Sequence, residues 1–461
     1  MQAPFDIAAD LDTPVSAYRK LGAFGPVFLL ESVEGGQRVA RYSFIGLGAA
    51  AAVRLDADGL RIDGGAPAVV RDRQELLAGL RAAVERTPRL LPEVPGLPFD
   101  GGLVGAVGYD FVRRLERLPS RAASRPGEAE LAMVAPRSLL VFDHLTRRVA
   151  LLHDGPEWER ASLRREIIAA LRAAHPAAPS RTGHEPPTPS LTREAFIAAV
   201  GRIQEHIRAG DVFQLVLSVR FTGACRTSPF EVYRALRMLN PSPYMYYLDV
   251  GGVQVVGSSP EALVRLSGRT ASLRPLAGTR PRGSDEASDQ RLERELLADA
   301  KEAAEHVMLV DLARNDLGRV AAPGSVRVEP YRSIERYSHV MHIVSGVGGE
   351  LADGADALEL FAAAFPAGTV VGAPKVRAME IIEELEPVRR GLYAGTVGYF
   401  ARSGNMDQAI AIRTLVFQNG SYAYQAGAGI VADSDPEAEH REVLAKVGAL
   451  EAALRLAEDG L

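Results

Sequence analysis

Two pairs of glutamates repeat one spacing: Glu302 with Glu305 in "KEAAEH", and Glu439 with Glu442 in "AEHREVLAK". Residues three apart on a helix share a face, so each pair presents two carboxylates side by side. Lys446 falls one further turn along the second face. Two readings stand at this point, solvated helix faces or two pairs converging on one cation. Oxygen donors from two helices, with positions left for water, would suit Mg²⁺.

Other segments carry reactive residue types in unusual local settings. "VGSSPEAL" sets Glu261 after a Ser-Ser-Pro turn at a strand end, and "LRPLAGTRPRG" is a Pro/Gly loop whose arginines suit an anionic ligand. "YSHVMHIVSGVGG" carries His339 and His342, and "FPAGTVVGAPKVRAMEIIEELEP" is a tight turn into a helix that brings Thr369 and Lys375. Only four lysines, at positions 20, 301, 375 and 446, stand among the 53 basic residues, so a retained ammonium suggests a local need for one. "AGAGIVA" and "GGLVGAVGYDF" lack the strand-turn-helix setting of a nucleotide-binding loop, and the second reads as a packing segment.

These residues need a scaffold. A chain of 461 residues exceeds the size at which one core normally stays single, so two domains, or one large fold with two subdomains, are expected. A net charge of -5 without a basic tract argues against nucleic acid. No window reaches the length of a membrane span and the first residues lack a signal-peptide core, so no membrane association and a cytoplasmic location are expected. One cysteine, Cys225, excludes an intrachain disulfide or a multi-cysteine metal site. The stretch 175–190, "HPAAPSRTGHEPPTPS", holds five prolines and reads as a linker between residues 1–174 and 191–461. Upstream of it, short β-type runs such as "GPVFLLES", "RYSFIGLG" and "AAVRLDADGLRIDG" surround one amphipathic helix, "RQELLAGLRAAVERT". Downstream, strands follow one another through the turns "RSGN" and "QNG", with helices around them. That order predicts an α+β fold of large antiparallel sheets rather than a doubly wound parallel sheet.

Taken in order, these motifs resemble the chorismate-utilising enzyme family, most of all its anthranilate synthase component I branch. The likeness runs from "FLLESVEGGQRVARYSFIG" to "GAGIVADSDPEAEHREVLAKVGAL", nearly the whole chain. It implies two large stacked antiparallel sheets with helices outside, an N-terminal subdomain over 1–174 and a chorismate-binding catalytic region over 191–461. It also implies that Glu305 and Glu442 hold Mg²⁺, with Glu302 and Glu439 in support.

The implied reaction is a lyase step of tryptophan biosynthesis in which chorismate and ammonia give anthranilate and pyruvate. Ammonia attacks C2 while the C4 hydroxyl departs, and hydroxide is a poor leaving group. By resemblance Glu261 is the acid that protonates that hydroxyl. His342 serves the elimination of pyruvate, and Thr369 donates to the ring or its hydroxyl. Gly278, Thr279, Tyr393, Arg413, Gly427, Ala428 and Gly429 are expected around the substrate, with Lys446 near the metal and the ring carboxylate. Arg413 can grip a carboxylate with both arms of its guanidinium, and small residues at 427–429 let backbone N–H groups approach another.

Two positions separate products within the family. Isochorismate and salicylate synthases carry a water-activating lysine where this chain has Gln214, so an amine-forming reaction is favoured. Aminodeoxychorismate synthases typically read "PIKGT", whereas this chain reads "PLAGT" with Ala277, which favours direct amination at C2. The alternatives are an aminodeoxychorismate or aminodeoxyisochorismate synthase, or a non-catalytic subunit that binds chorismate or tryptophan. Cys225 lacks a nucleophile-elbow setting, so ammonia is expected from glutamine through a separate amidotransferase subunit in a hetero-oligomer. Ser32 in "LLES" with Pro243, Tyr244 and Met245 in "NPSPYMYY" resembles the family's feedback site for L-tryptophan.

Overall fold

Strand pairing builds the scaffold, and hairpin chemistry fixes much of its register. In the computed structural model, which describes residues 4–32, 41–124, 127–177, 182–336 and 340–461, "RSGN" joins Thr396–Ala401 to Met406–Ile410. The Asn-Gly pair in "QNG" closes a two-residue turn between Thr414–Gln418 and Ser421–Ile430, with Gln418 opposite Ser421. Among the described residues twenty strands belong to one hydrogen-bonded network, and a separate three-stranded sheet joins Leu276–Pro281, Val340–Val344 and Ser333–Arg336.

The large network folds back into two layers. One arm runs from Leu131–Asp143 through Gly102–Val107 to Thr396–Ala401 and Met406–Ile410. The other runs from Pro26–Glu31 through Tyr244–Val250, Val253–Ser259, Thr414–Gln418 and Ser421–Ile430 to Gln214–Ala224. Phe28, Tyr246 and Val255 of the second arm pack with Phe99, Val104 and Tyr399 at the first to fill the space between. A larger core binds the outer faces to the helices. The antiparallel α+β architecture read from the sequence is therefore the one present.

Two sequence segments read as separate runs are one strand. Tyr42–Asp56 pairs along most of its length with Leu131–Asp143 and, over its first half, with Pro26–Glu31, so it belongs to both layers. Pairing also crosses between the two halves of the chain: Gly102–Val107 lies on Thr396–Ala401, and Pro26–Glu31 on Tyr244–Val250. Within the proline-rich stretch, Thr188–Pro189 forms a short strand on Thr222 and Phe221. Among the described residues no helix is long and apolar enough to cross a membrane.

Local signals set the two acidic helices. Asp299 caps Ala300–Gly318 by accepting from the backbone N–H groups of Lys301 and Glu302, and Asp435 caps Pro436–Asp459 by accepting from Ala438, with proline at the first helical turn. Such caps are worth about 1 kcal/mol each, and they fix the turn on which each glutamate pair begins. The tight turn 366–374 becomes a short 3₁₀ segment, Gly368–Val370, followed by the helix Lys375–Leu385.

Candidate active site

The strands, the small sheet and the two acidic helices surround a cavity of about 680 Å³. Glu261 enters it from the end of Val253–Ser259, and Arg413 from the turn before Thr414–Gln418. Arg413 has a φ of +50°, a left-handed backbone that costs a non-glycine residue on the order of 1 kcal/mol or more, and its carbonyl accepts from the Ser258 N–H at 3.1 Å. The strain aims a guanidinium at the cavity.

The small sheet brings Gly278, Thr279 and His342 together, with Thr279 and His342 opposite each other in register. The imidazole Nδ1 stands 2.9 Å from the Gly278 carbonyl and 3.1 Å from the Thr279 hydroxyl. A carbonyl can only accept, so Nδ1 carries the hydrogen and Nε2 is the basic nitrogen of the neutral ring. Burial lowers the His342 pKa, the Gly278 contact opposes this, and Arg413 lowers it further. Gly278 has a φ of +66°, and a Cβ there would lie 3.1 Å from Glu302 Oε2, so glycine is required by conformation and by space.

Glu261 holds its proton more readily than an ordinary carboxyl. It is partly open to cavity water yet surrounded by protein, and burial pushes its pKa from 4.5 up to about 7, with the Thr369 hydroxyl and Arg413 pulling the other way. Thr369 lines the cavity with a buried hydroxyl that makes no hydrogen bond of normal geometry among the described residues. A carboxyl that is about half protonated near neutral pH can give a proton and take one back.

Period-two alternation on Ser421–Ile430 turns Gly427 and Gly429 toward the cavity, where a Cβ on Gly427 would sit 2.9 Å from the Tyr393 hydroxyl. The same alternation sends the methyl of Ala428 into the core, so of the three small residues expected around the substrate only the glycines face it with their Cα atoms. Tyr393 also lines the wall, its phenol pushed up to about 12 by burial. Lys446 bonds the Gly427 carbonyl at 2.9 Å and Glu442 at 2.7 Å.

The carboxylates do converge. Glu305 and Glu442 line the cavity from different helices, and Glu305 is raised in pKa by burial and by Glu302 and Glu442, opposed by a 3.4 Å contact from the Gln214 amide. Glu439 is raised by burial and by Glu442. Glu302 stands behind, paired with Arg280 at 3.2 Å. Among the described residues no three His, Cys, Asp or Glu side chains form a closed metal cage. Crowded, mutually repelling carboxylates that supply a few oxygens from one side fit a hard cation that keeps much of its water.

Several expectations fall elsewhere. Lys375 pairs with Asp316 at 2.8 Å and bonds the Ala364 carbonyl at 3.2 Å, a packing role away from the cavity. His339 lies outside the described residues. Ser32, Pro243, Tyr244 and Met245 do not line this cavity; Glu31 pairs with Met245, so Ser32 and Tyr244 follow at the same end of the two strands, the buried Ser32 hydroxyl has no hydrogen-bond partner among the described residues, and the Tyr244 phenol reaches Asp407 at 3.1 Å. Sequence reasoning missed Gln425 and the run Asn240–Ser242, which line the cavity. Gln425 has a detectable signal, a polar residue at an inward position of a strand otherwise built of small and aromatic residues.

Comparison with known proteins agrees with this geometry. A family model described as "chorismate binding enzyme" matches residues 25–452. The chain is 50% identical to anthranilate synthase component 1 of Thermus thermophilus over 98% of this chain and 97% of that one. It is 49% identical to the protein of the same name from Streptomyces coelicolor, over 97% and 88% respectively. Its fold matches the crystal structure of anthranilate synthase component I from Streptococcus pneumoniae with a TM-score of 0.81 and 34% identity, covering 98% and 100% of the two chains.

Proposed function

Because the chain belongs to the chorismate binding enzyme family, we propose that it is the anthranilate synthase large subunit, converting chorismate and ammonia to anthranilate, pyruvate and water. The observation that carries this reading is Glu261, a largely enclosed carboxyl whose pKa is pushed up to about 7 in the cavity it shares with Arg413 and His342.

Ammonia forms the new bond at C2, the ring electrons shift, and Glu261 gives its proton to the departing C4 hydroxyl, which leaves as water. Thr369 offers a donor beside that hydroxyl. His342, its Nδ1 proton held by the Gly278 carbonyl, takes the C2 proton at Nε2 as the C3–O bond breaks and pyruvate departs as its enolate, which is then protonated to pyruvate by the imidazolium or by water. Arg413 binds one carboxylate, while Gly427 and Gly429 admit another beneath Tyr393 and Lys446. Glu305 and Glu442 would hold Mg²⁺, which offsets the charge of the ring carboxylate and fixes its position. Gln214, whose amide stands 3.4 Å from Glu305, supplies no base for water attack.

The component 1 name of the relatives supports a partner component, and we assign it as a glutamine amidotransferase that delivers ammonia. The buried hydroxyl of Ser32, without a hydrogen-bond partner among the described residues and next to the Glu31–Met245 strand pair, supports L-tryptophan as a feedback ligand at that second place. Incubation of the purified chain with chorismate, Mg²⁺ and an ammonium salt, with the product identified by mass and fluorescence, tests the reading. Anthranilate and pyruvate in equal amounts are expected; an aminated product that retains its enolpyruvyl group would overturn it.

A further inference from the structure

Outside the cavity lies a buried ion pair that the reaction above does not use. Glu386, the residue on which the helix Lys375–Leu385 ends, grips Arg390 with both oxygens, at 2.9 Å to Nε and 2.7 Å to Nη2. Their side chains are 4% and 1% exposed. Two of the three remaining N–H donors of the guanidinium go to backbone carbonyls, Val370 at 2.7 Å from Nη1 and Val216 at 2.8 Å from Nη2. Its face stacks over the ring of Tyr393 at 5.6 Å and that of Tyr109 at 4.9 Å.

The other side of the carboxylate is also committed. Glu386 Oε1 accepts from the Ser218 N–H at 2.9 Å and from its hydroxyl at 2.7 Å. An ionised carboxylate has no hydrogen to give, so Ser218 must donate to it and can only accept from Gln425, whose Nε2 is 2.8 Å away. The proton pattern of the whole chain, Arg390 to Glu386 to Ser218 to Gln425, thus has one solution.

Four residues tied to this chain line the cavity themselves: Val370 next to Thr369, Val216 two residues from Gln214, Tyr393, and Gln425 two residues from Gly427. Arg390 does not line that cavity. A buried ion pair is a weak source of stability, because desolvation consumes most of its attraction. Its value here is geometric: one rigid planar group fixes the relative position of wall segments remote in sequence.

We propose, resting on the chorismate-aminating function above, that Arg390 clamped by Glu386 is a positioning residue that holds Thr369, Tyr393 and the 214–216 segment in the arrangement the transition state requires. A displacement of about 1 Å in such groups costs on the order of a hundredfold in rate. Arg413, which grips the substrate, is untouched, so the loss should fall on kcat rather than on KM.

The test measures ammonium-dependent turnover of the full chain with Arg390→Lys, which keeps the charge and loses the planar fork. A second variant, Glu386→Gln with Arg390→Met, removes both charges and leaves none buried alone. Arg113→Lys is the control: Arg113 pairs with Glu383 on the same helix, is also largely buried, and reaches no cavity segment. Expected is a fall in kcat of about 30- to 100-fold for both Arg390 variants with KM for chorismate within threefold, and an unchanged kcat for the control. Either Arg390 variant turning over within threefold of wild type would overturn the proposal, as would an equal loss in the control. A wild-type chain that makes no anthranilate would overturn the function itself, and this proposal with it.

Discussion

Replacing Glu261 with glutamine removes the acidic proton while nearly preserving shape, and it should have opposite effects on rate and stability. The folded pKa of about 7 lies above the usual 4.5, so between those values the native chain holds a proton that the unfolded chain has lost. The contribution is therefore complete below about pH 4.5 and is lost as pH rises through 7. A gap of about 2.5 pH units corresponds to about 3 kcal/mol, and cavity water reduces this to roughly 2–3 kcal/mol. At pH 8 Glu261→Gln should be more stable than wild type by that amount. With unfolding entropy of roughly 2 cal/mol/K per residue over 461 residues, the rise in Tm is about 2–3 °C. At pH 4.5 the two proteins should melt together. Turnover should fall by about 10²- to 10⁴-fold, the usual worth of a positioned general acid. Wild-type kcat/KM should decline tenfold per pH unit above about 7, where the carboxyl has lost its proton. Calorimetry at the two pH values and an anthranilate fluorescence assay supply the measurements. A variant with more than a tenth of wild-type activity, or one no more stable than wild type at pH 8, would refute the reasoning.

Glu305→Gln relieves burial and the repulsion from Glu302 and Glu442, so it should abolish turnover without lowering Tm, and thermal melts should lose any Mg²⁺-dependent rise seen in wild type. Gly427→Ala puts a Cβ 2.8 Å from the Leu217 carbonyl and 2.9 Å from the Tyr393 hydroxyl; kcat/KM for chorismate should drop by about tenfold or more, with stability lowered by about 1–3 kcal/mol. Lys375→Met leaves Asp316 buried without its ion-pair partner and should cost about 3–5 kcal/mol by denaturant melts, with the folded enzyme retaining its kcat. Ser32→Phe fills the place of a buried hydroxyl next to the Glu31–Met245 strand pair, and inhibition by tryptophan should disappear while uninhibited turnover stays within about threefold, as inhibition curves would show.

The reactive residues were readable because each sits at a punctuation mark: Glu261 after Ser-Ser-Pro, Arg413 at a strand start, the glutamates three apart behind aspartate caps. Hairpins were readable for the same reason, since "QNG" leaves the backbone few choices. What alternation demands was harder to see when residues are all small, so Ala428 was grouped with glycines that face the other way. Charge was the least legible signal. "EPVRRG" looks like a solvated connection, yet Arg390 is 2% exposed, because two of its partners come from positions 216 and 370 that no local pattern announces. Lys375 misled for a related reason: rarity of lysine marks a position where an ammonium matters, and pairing with Asp316 satisfies that as well as a ligand would. The continuity of Tyr42–Asp56 was hidden by the small residues at its centre, which are poor strand formers alone and are held by partners on both sides.

The pairing of Gly102–Val107 with Thr396–Ala401 also sets a schedule for synthesis. Roughly 290 residues separate the two strands, and at 5–20 residues per second a ribosome needs about 15–60 s to deliver the second after the first. During that interval a fully apolar edge waits without its neighbour, open to other chains. The N-terminal segment cannot finish its sheet on its own, so truncated products should be sticky rather than merely inactive, and yield in a cell should depend on how well nascent chains are shielded until the last hundred residues emerge.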